Sequence, residues 1–279
     1  MTSETGSNAE IRIGPVTSWG FPDLRELLQY RDLLYFLIWR NIRVAYAQSV
    51  GGLGWAVVQP ALQVLIFSIV FGGLLKLDAG EGIPYPLFST VAVIPWTYMS
   101  GAVSAGSSAL VNNTGMLGKI YFPRLIFLLN PILGGLINFF ISLLFMIAVM
   151  VFYQVELTSQ LLFFPLLLLL MVMTPLGISM WLSSLTIRFR DVRIMMSHLI
   201  RALIYFVPVM YPSSQIPDHL RQWYIINPFV GVIEGYRSCL LGEPMNWDSL
   251  AWSIGVAIVL IVSGAIYFRR MERIIVDVI

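Results

Sequence analysis

The chain has 279 residues, of which 58% are hydrophobic and 11% charged, with a formal net charge of +2. An ordinary soluble domain carries about 25% charged residues, so this composition excludes a soluble globular fold and requires lipid as solvent for most of the chain. The one cysteine, Cys239, excludes an intramolecular disulfide and a cysteine-based metal cluster.

Residues 1–22 are polar and rich in Gly and Ser, and they predict a mobile cytoplasmic tail with no cleavable signal peptide. Asp23, with Glu26 three residues on, has the form of a helix start. Over 23–50, Leu27, Leu28, Tyr35, Ile38, Trp39, Ile42 and Tyr46 fall on one helical face, while Arg25, Gln29, Asp32, Arg40 and Arg43 fall largely on the other. That pattern predicts an amphipathic helix lying in the membrane interface. Gly51-Gly52-Leu53-Gly54 then lets the chain turn into the bilayer.

Long runs free of Asp, Glu, Lys and Arg separate Arg43 from Lys76, Glu81 from Lys119, Arg124 from Glu156, Glu156 from Arg188 and Asp248 from Arg269. Together with a shorter run after Arg201 they predict an all-α membrane protein with six transmembrane helices, at 55–75, 86–110, 126–152, 161–186, 195–213 and 249–268. Placing both termini in the cytoplasm leaves only Lys76, Arg221 and Arg237 of the 17 basic residues outside, as the positive-inside rule requires. The stretch 202–248 holds Pro208, Pro212, Pro217 and Pro228 and a second moderately apolar run. A seventh span there would bury charge and reverse the basic C-terminus. A re-entrant or interfacial hairpin on the outer face, with Glu234 and Arg237 paired at i, i+3, is expected, an ordinary outer loop being the alternative.

On the first span Trp55, Gln59, Gln63, Phe67 and Phe71 recur every fourth residue. Aromatic faces stack on sugar rings and amides bond hydroxyls, so this ridge either lines a path for an uncharged polar polymer or packs against a neighbouring helix. Asn130, Gly134, Asn138 and Ser142 form a companion stripe suited to close helix contact. Arg40 and Arg43 on the amphipathic helix, and His198, Arg201 and Tyr205 at the start of span five, either receive a phosphate head group or anchor the chain to anionic lipid. His198 and His219 have no partner at ligand spacing, and no metal site is expected. Two short loops, 113–124 and 187–193, mix apolar anchors with charge, which suits either docking into a soluble partner or ordinary solvation.

The strings GKIYFPR at 118–124, IRFRDVR at 187–193, PVMYPSSQIP at 208–217 and NPFVGVIEGYR at 227–237 together resemble the permease subunit of type-2 ABC exporters. Within that group they resemble the branch that exports lipid-linked polysaccharide, whether O-antigen, capsule or teichoic acid. The likeness covers about residues 31–270; Gly118 stands where relatives often carry a second basic residue.

The resemblance implies a homodimer in the inner membrane of a bacterium, joined to two copies of a nucleotide-binding subunit that binds ATP and Mg. It implies coupling to that ATPase through Met116, Leu117, Lys119, Tyr121, Phe122, Arg124, Arg188, Arg190 and Asp191. It gives the amphipathic helix the place of a gate helix at the cytoplasmic entrance, while the residue patterns themselves lead us to expect head-group binding near Arg40, Arg43, His198 and Arg201 and a channel along Trp55, Gln59, Gln63, Phe67, Phe71 and Tyr205. An outer gate would include Pro212, Pro217, Asn227, Pro228, Glu234 and Arg237.

No GxxxxGK[ST] motif occurs, so ATP must be bound elsewhere and the chain carries no catalytic residues or cofactor of its own. No nucleic-acid partner is expected. An ion-coupled transporter would carry an acidic residue at a span centre, and none is present. A membrane transferase would need a convergent carboxylate pair, which the loops do not supply. A small-molecule exporter of the same superfamily is the remaining alternative.

Overall fold

A computed structural model describes residues 24–47, 49, 51–80, 82–117 and 123–278. The tail, Asp23, Lys119, Tyr121 and Phe122 lie outside the described residues. Among those described, every regular element is helical.

The amphipathic segment forms α1 (Leu24–Gln29) and α2 (Arg31–Ala47), joined at Tyr30. Leu37, only 1% exposed, anchors α2 in a cluster with Leu110, Leu125, Ile126 and Phe268. Tyr35, Phe36, Trp39 and Val44 remain exposed. The apolar stripe of α2 is therefore wider than the face it buries.

A short 3-10 turn at Gly52–Gly54 leads into α3 (Trp55–Phe67), which continues as widened π turns over Ser68–Leu74. The other long helices are α4 (Tyr85–Asn112), α6 (Leu125–Phe152) after the single-turn α5 (Thr114–Leu117), α7 (Phe164–Arg188) and α11 (Trp247–Val278). Among the described residues four stretches are long and apolar enough to cross a membrane: Gly52–Leu74, Leu125–Phe152, Ser159–Arg188 and Trp247–Glu272.

Helix α4 is also long, 28 residues or roughly 42 Å, and free of charge, but it carries more Ser and Thr. Its surroundings explain this. Ser89, Thr90, Val91, Ala92 and Val93 are fully buried among neighbouring helices, so α4 need not be as apolar as one facing lipid. The hydroxyls of Ser89, Thr90, Ser100 and Ser107 donate to the helix's own backbone, Thr90 Oγ1 to Pro86 O at 2.6 Å. Helices α6 and α11 instead expose Leu144, Val151, Val259 and Ile266.

Small residues set the closest helix crossings. A side chain added at Gly106 of α4 would overlap Ser179 of α7, and one at Gly177 of α7 would come within 2.9 Å of the α11 backbone at Leu260 and Ile261. At the same crossing a Cβ on Gly264 would lie 2.9 Å from Gly177 O. Trp181 stacks on Tyr267 with centroids 4.5 Å apart and donates to Ser263 Oγ, which fixes the register of α7 on α11.

The helix expected over 195–213 is displaced. It is α8, Arg190–Leu203, followed by one tight turn to Phe206. Fourteen residues span only about 21 Å, short of a bilayer core. Pro208 ends it by removing a donor, and Val209 N bonds back to Val207 O in a three-residue turn.

The stretch expected as a hairpin forms two short helices, α9 (Asp218–Ile225) and α10 (Pro228–Leu241). Asn227 caps α10 by accepting from Phe229 N, and Gly242 closes it in a left-handed conformation with φ of 76°. Helix α9 is exposed for most of its length, whereas Phe229–Ile233 and Gly235–Leu240 of α10 are buried.

Candidate functional site

Helices α2, α3, α4 and α6 enclose a cleft of about 460 Å³. Asn41 and Tyr46 reach it from α2, Trp55 and Gln59 from α3, Thr97 and Tyr98 from α4, and Asn130, Asn138 and Ser142 from α6. The two sequence stripes thus meet. Ser142 Oγ donates to Ala56 O at 2.7 Å across α6 and α3, and the Tyr46 hydroxyl donates to Asn138 Oδ1, latching the end of α2 to α6.

Losing one such hydrogen bond costs about 1 kcal/mol, roughly fivefold in an opening equilibrium. Tyr46→Phe is therefore expected to raise the rate of tryptic cleavage after Arg40 or Arg43 about fivefold in limited proteolysis. An unchanged rate would mean that the hydroxyl does not hold the helix.

The rest of the α3 ridge diverges. Gln63 shares a shallow outward groove with Trp55, Gln59, Leu62 and Ile66. Phe67 turns into the core at 8% exposure and meets Phe71 edge to face at 5.8 Å. The ridge drifts because 3.6 residues per turn carry every fourth residue steadily around the helix.

Arg40 is half-buried and Arg43 exposed, its guanidinium 5.7 Å from the Trp39 ring. His198, Arg201 and Tyr205 are exposed on α8 and the turn that follows it. Since α2 packs on α6 while α8 packs on α4 and α7, the two basic sets stand on different parts of the chain.

The residues expected to meet an ATPase lie at two helix junctions. Met116 packs against the cluster around Leu110 and Leu125, and Arg124 donates to the Glu272 carbonyl. At the other junction Phe189 adopts an extended conformation between α7 and α8, with the Arg188 guanidinium 5.3 Å from its ring and Asp191 in the first turn of α8. The backbones of Leu117 and Arg190 belong to α5 and α8.

The proline-broken region builds the most tightly organised polar site. Segment 207–210 is buried, and its carbonyls find partners on two other elements. The Tyr85 hydroxyl of α4 donates to Met210 O at 2.6 Å, and Arg237 of α10 donates to Val209 O at 3.4 Å. Non-helical backbone is tolerated in a dry interior only with such partners.

Arg237 is 2% exposed, with its guanidinium 3.6 Å above the centroid of Phe88. The expected ion pair with Glu234 is not formed. Among the described residues neither Glu234 nor Glu243 comes within ion-pair distance of Arg237, and Glu234 accepts from Asn246 instead. The aromatic face takes the place of the carboxylate because a stacked guanidinium keeps its edge free for a carbonyl. Glu243, in the loop after α10, is pushed above the ordinary carboxylate range by burial, an effect opposed by the charge of Arg237 and reinforced by Glu234.

Asn227, besides capping α10, donates to Phe206 O at 3.1 Å and ties the hairpin to the end of α8. Pro228 is the first residue of α10, Pro217 precedes α9, and half-buried Pro212 stands ahead of both, before the short turn Ser213–Gln215. Tyr85, Phe88 and Glu243 were invisible to periodicity. The only signal was Tyr85 between two prolines at the start of a charge-free run.

A chain of long apolar helices with irregular helix pairs beside them defines a multi-pass membrane protein. Residues 32–241 match the ABC-2 type transporter family, and the chain belongs to that family. It is also similar to the O-antigen export system permease protein RfbA of Myxococcus xanthus, 29% identical over 255 residues, or 90% of this chain and 96% of the relative. Two O-antigen export system permease proteins RfbA of Klebsiella pneumoniae are 23% and 22% identical over 242 residues, 86% of this chain and 92% of each relative.

Proposed function

We propose that this chain is the membrane permease subunit of an ATP-driven exporter that carries lipid-linked polysaccharide across the inner membrane of a bacterium. The observation that carries this reading is similarity to O-antigen export permeases along nearly the whole of both chains. Helix α4 joins the four membrane-length helices as a fifth span, and α8 completes the sixth crossing only together with the turn and the buried segment 207–210 that follow it; both termini are cytoplasmic, and α9 with α10 forms the outer hairpin. Two copies of the chain assemble with two ATPase subunits, which supply the nucleotide site that this sequence lacks.

The junctions at Met116–Arg124 and Arg188–Asp191 receive the motion of those subunits. Arg40 and Arg43 on α2, and separately His198 and Arg201 on α8, offer two basic surfaces to the phosphate of the lipid carrier at the cytoplasmic edge. Trp55, Gln59, Gln63 and Tyr205 offer sugars an uncharged, aromatic and amide-rich surface, over which a polymer slides without being trapped.

A strain lacking this chain is expected to lose its surface polysaccharide and to regain it with the wild-type copy. The Arg40→Ala, Arg43→Ala double variant should restore less than a tenth of that level, measured by immunoblot of whole-cell polysaccharide. Full restoration would remove the head-group role, and unchanged polysaccharide in the deletion strain would overturn the export reading itself.

A further inference from the structure

The C-terminal part of α11 meets three other parts of the chain. Phe268, 2% exposed, belongs to the apolar cluster that also seats Leu37 of α2. Against the same cluster pack Met116 of α5, Ile187 in the last turn of α7, and Leu27 and Tyr30 at α1 and its joint with α2. Both junctions expected to meet an ATPase, and the start of the amphipathic pair, thus touch one apolar body.

Apolar contact is non-directional and fixes no register. Polar groups beside the cluster supply it. The Arg124 side chain, at the residue from which α6 starts, donates to the Glu272 carbonyl of α11. The Glu272 carboxylate faces the Arg124 main-chain N–H and the guanidinium groups of Arg124 and Arg269, with Glu26 of α1 as an acidic neighbour. The first turn of α6 holds no acidic residue of its own, so Glu272 brings from another helix the negative charge that a helix start favours.

We propose that Glu272 is a positioning residue for the transport cycle. It holds Arg124 and the start of α6 to α11, so that displacement of the α5–α6 junction carries α11 with it and, through the shared cluster, reaches α1 and α2. The assignment rests on the export reading above and on its ATPase partner.

The deletion strain would receive the chain with Glu272→Gln, with Glu272→Arg, or with Glu272→Arg and Arg124→Glu together, each tagged and brought to the same level in membranes. Surface polysaccharide would be measured, along with the ATPase activity that co-purifies with the chain. Glu272→Gln keeps the size of the side chain and the carbonyl that accepts from Arg124, and removes only the charge. A partly buried charge at a helix start shifts an equilibrium by roughly fivefold. Polysaccharide is therefore expected to fall to about a fifth, while the co-purified ATPase activity stays within about twofold of wild type. Glu272→Arg should fall further, because it adds a cation where Arg124 and Arg269 already converge. The double variant returns an anion to the start of α6 and a cation to α11, and should recover at least about half of the wild-type level.

Wild-type polysaccharide in Glu272→Gln would overturn the proposal. So would a double variant no better than Glu272→Arg alone, which would make Glu272 a packing residue. Loss of the co-purified ATPase activity in Glu272→Gln would also overturn it, by making this end of α11 a contact with the ATPase. Restoration by the wild-type copy does not depend on Glu272, so the export reading stands or falls on that separate arm.

Discussion

Arg237→Leu is expected to destabilise the protein by about 3–5 kcal/mol, read as a lowered unfolding midpoint in detergent. The substitution removes a guanidinium stacked on Phe88, and in a dry site such a contact contributes about 2 kcal/mol or more. It also leaves Val209 O without its donor, and an orphaned buried acceptor costs about 1–3 kcal/mol. Arg237→Lys keeps the charge but lacks the plane that stacks and the fork that reaches the carbonyl, so it should recover less than half of the loss.

The same variant should acquire a steeper pH dependence. Glu243 is held above its ordinary value of 4.5 by burial, so the folded state binds more protons than the unfolded chain, and stability falls as pH rises past that value. Arg237 opposes this shift. Without it the folded-state pKa climbs further and the window of loss extends upward, so Arg237→Leu should lose more stability than the parent as pH rises above the ordinary carboxylate range. Adding Glu243→Gln should flatten the profile again. Identical pH profiles for parent and variant would show that Glu243 does not sense Arg237.

Gly231→Ala should be as damaging, although it adds a single methyl group. A Cβ at this position of α10 would overlap the Ser249 carbonyl oxygen and the Ser253 hydroxyl of α11, and the Gly231 N–H itself donates to Ser253 Oγ at 3.1 Å. Backbone cannot rotate out of the way as a side chain can, so α10 must lift off α11, at about 3 kcal/mol or more. Gly255→Ala on α11 is the control. A Cβ there meets nothing within 4 Å, and alanine in a helix interior is favoured by up to about 1 kcal/mol over glycine. Comparable melting of the two variants would refute the close approach.

The charge-free runs mark the positions of α3, α4, α6, α7 and α11 because a charge at bilayer depth is costly on any face of a helix. The proline pattern signals irregular backbone after Arg201 for an equally general reason, since proline cannot donate. Periodicity does not reveal which neighbour a face meets. The stripe at Trp55–Phe71 looks uniform in sequence, yet Trp55 borders a cleft while Phe67 enters the core, a division set by where α4 and α6 cross α3. Glu234 and Arg237 have the spacing of an ion pair. The ring of Phe88, 149 positions upstream of Arg237, takes the guanidinium instead, and no local rule reaches that far. Helix α8 was placed too late because the apolar run after Arg201 hides a helix that begins in the charged IRFRDVR segment.

The backbone-distance crossings at Gly106 and Gly177 have a mechanical result. Sliding α7 by one residue against α4 or α11 would drive a larger side chain into a gap sized for hydrogen, so these three helices are keyed together like boards joined by dowels. Among the described residues α2 and α8 contain no glycine, and α2 is held instead by buried Leu37 and the hydrogen bond from Tyr46 to Asn138. The extended residue Phe189 joins α7 of this trio to α8, so the break between those two helices falls outside the keyed crossings.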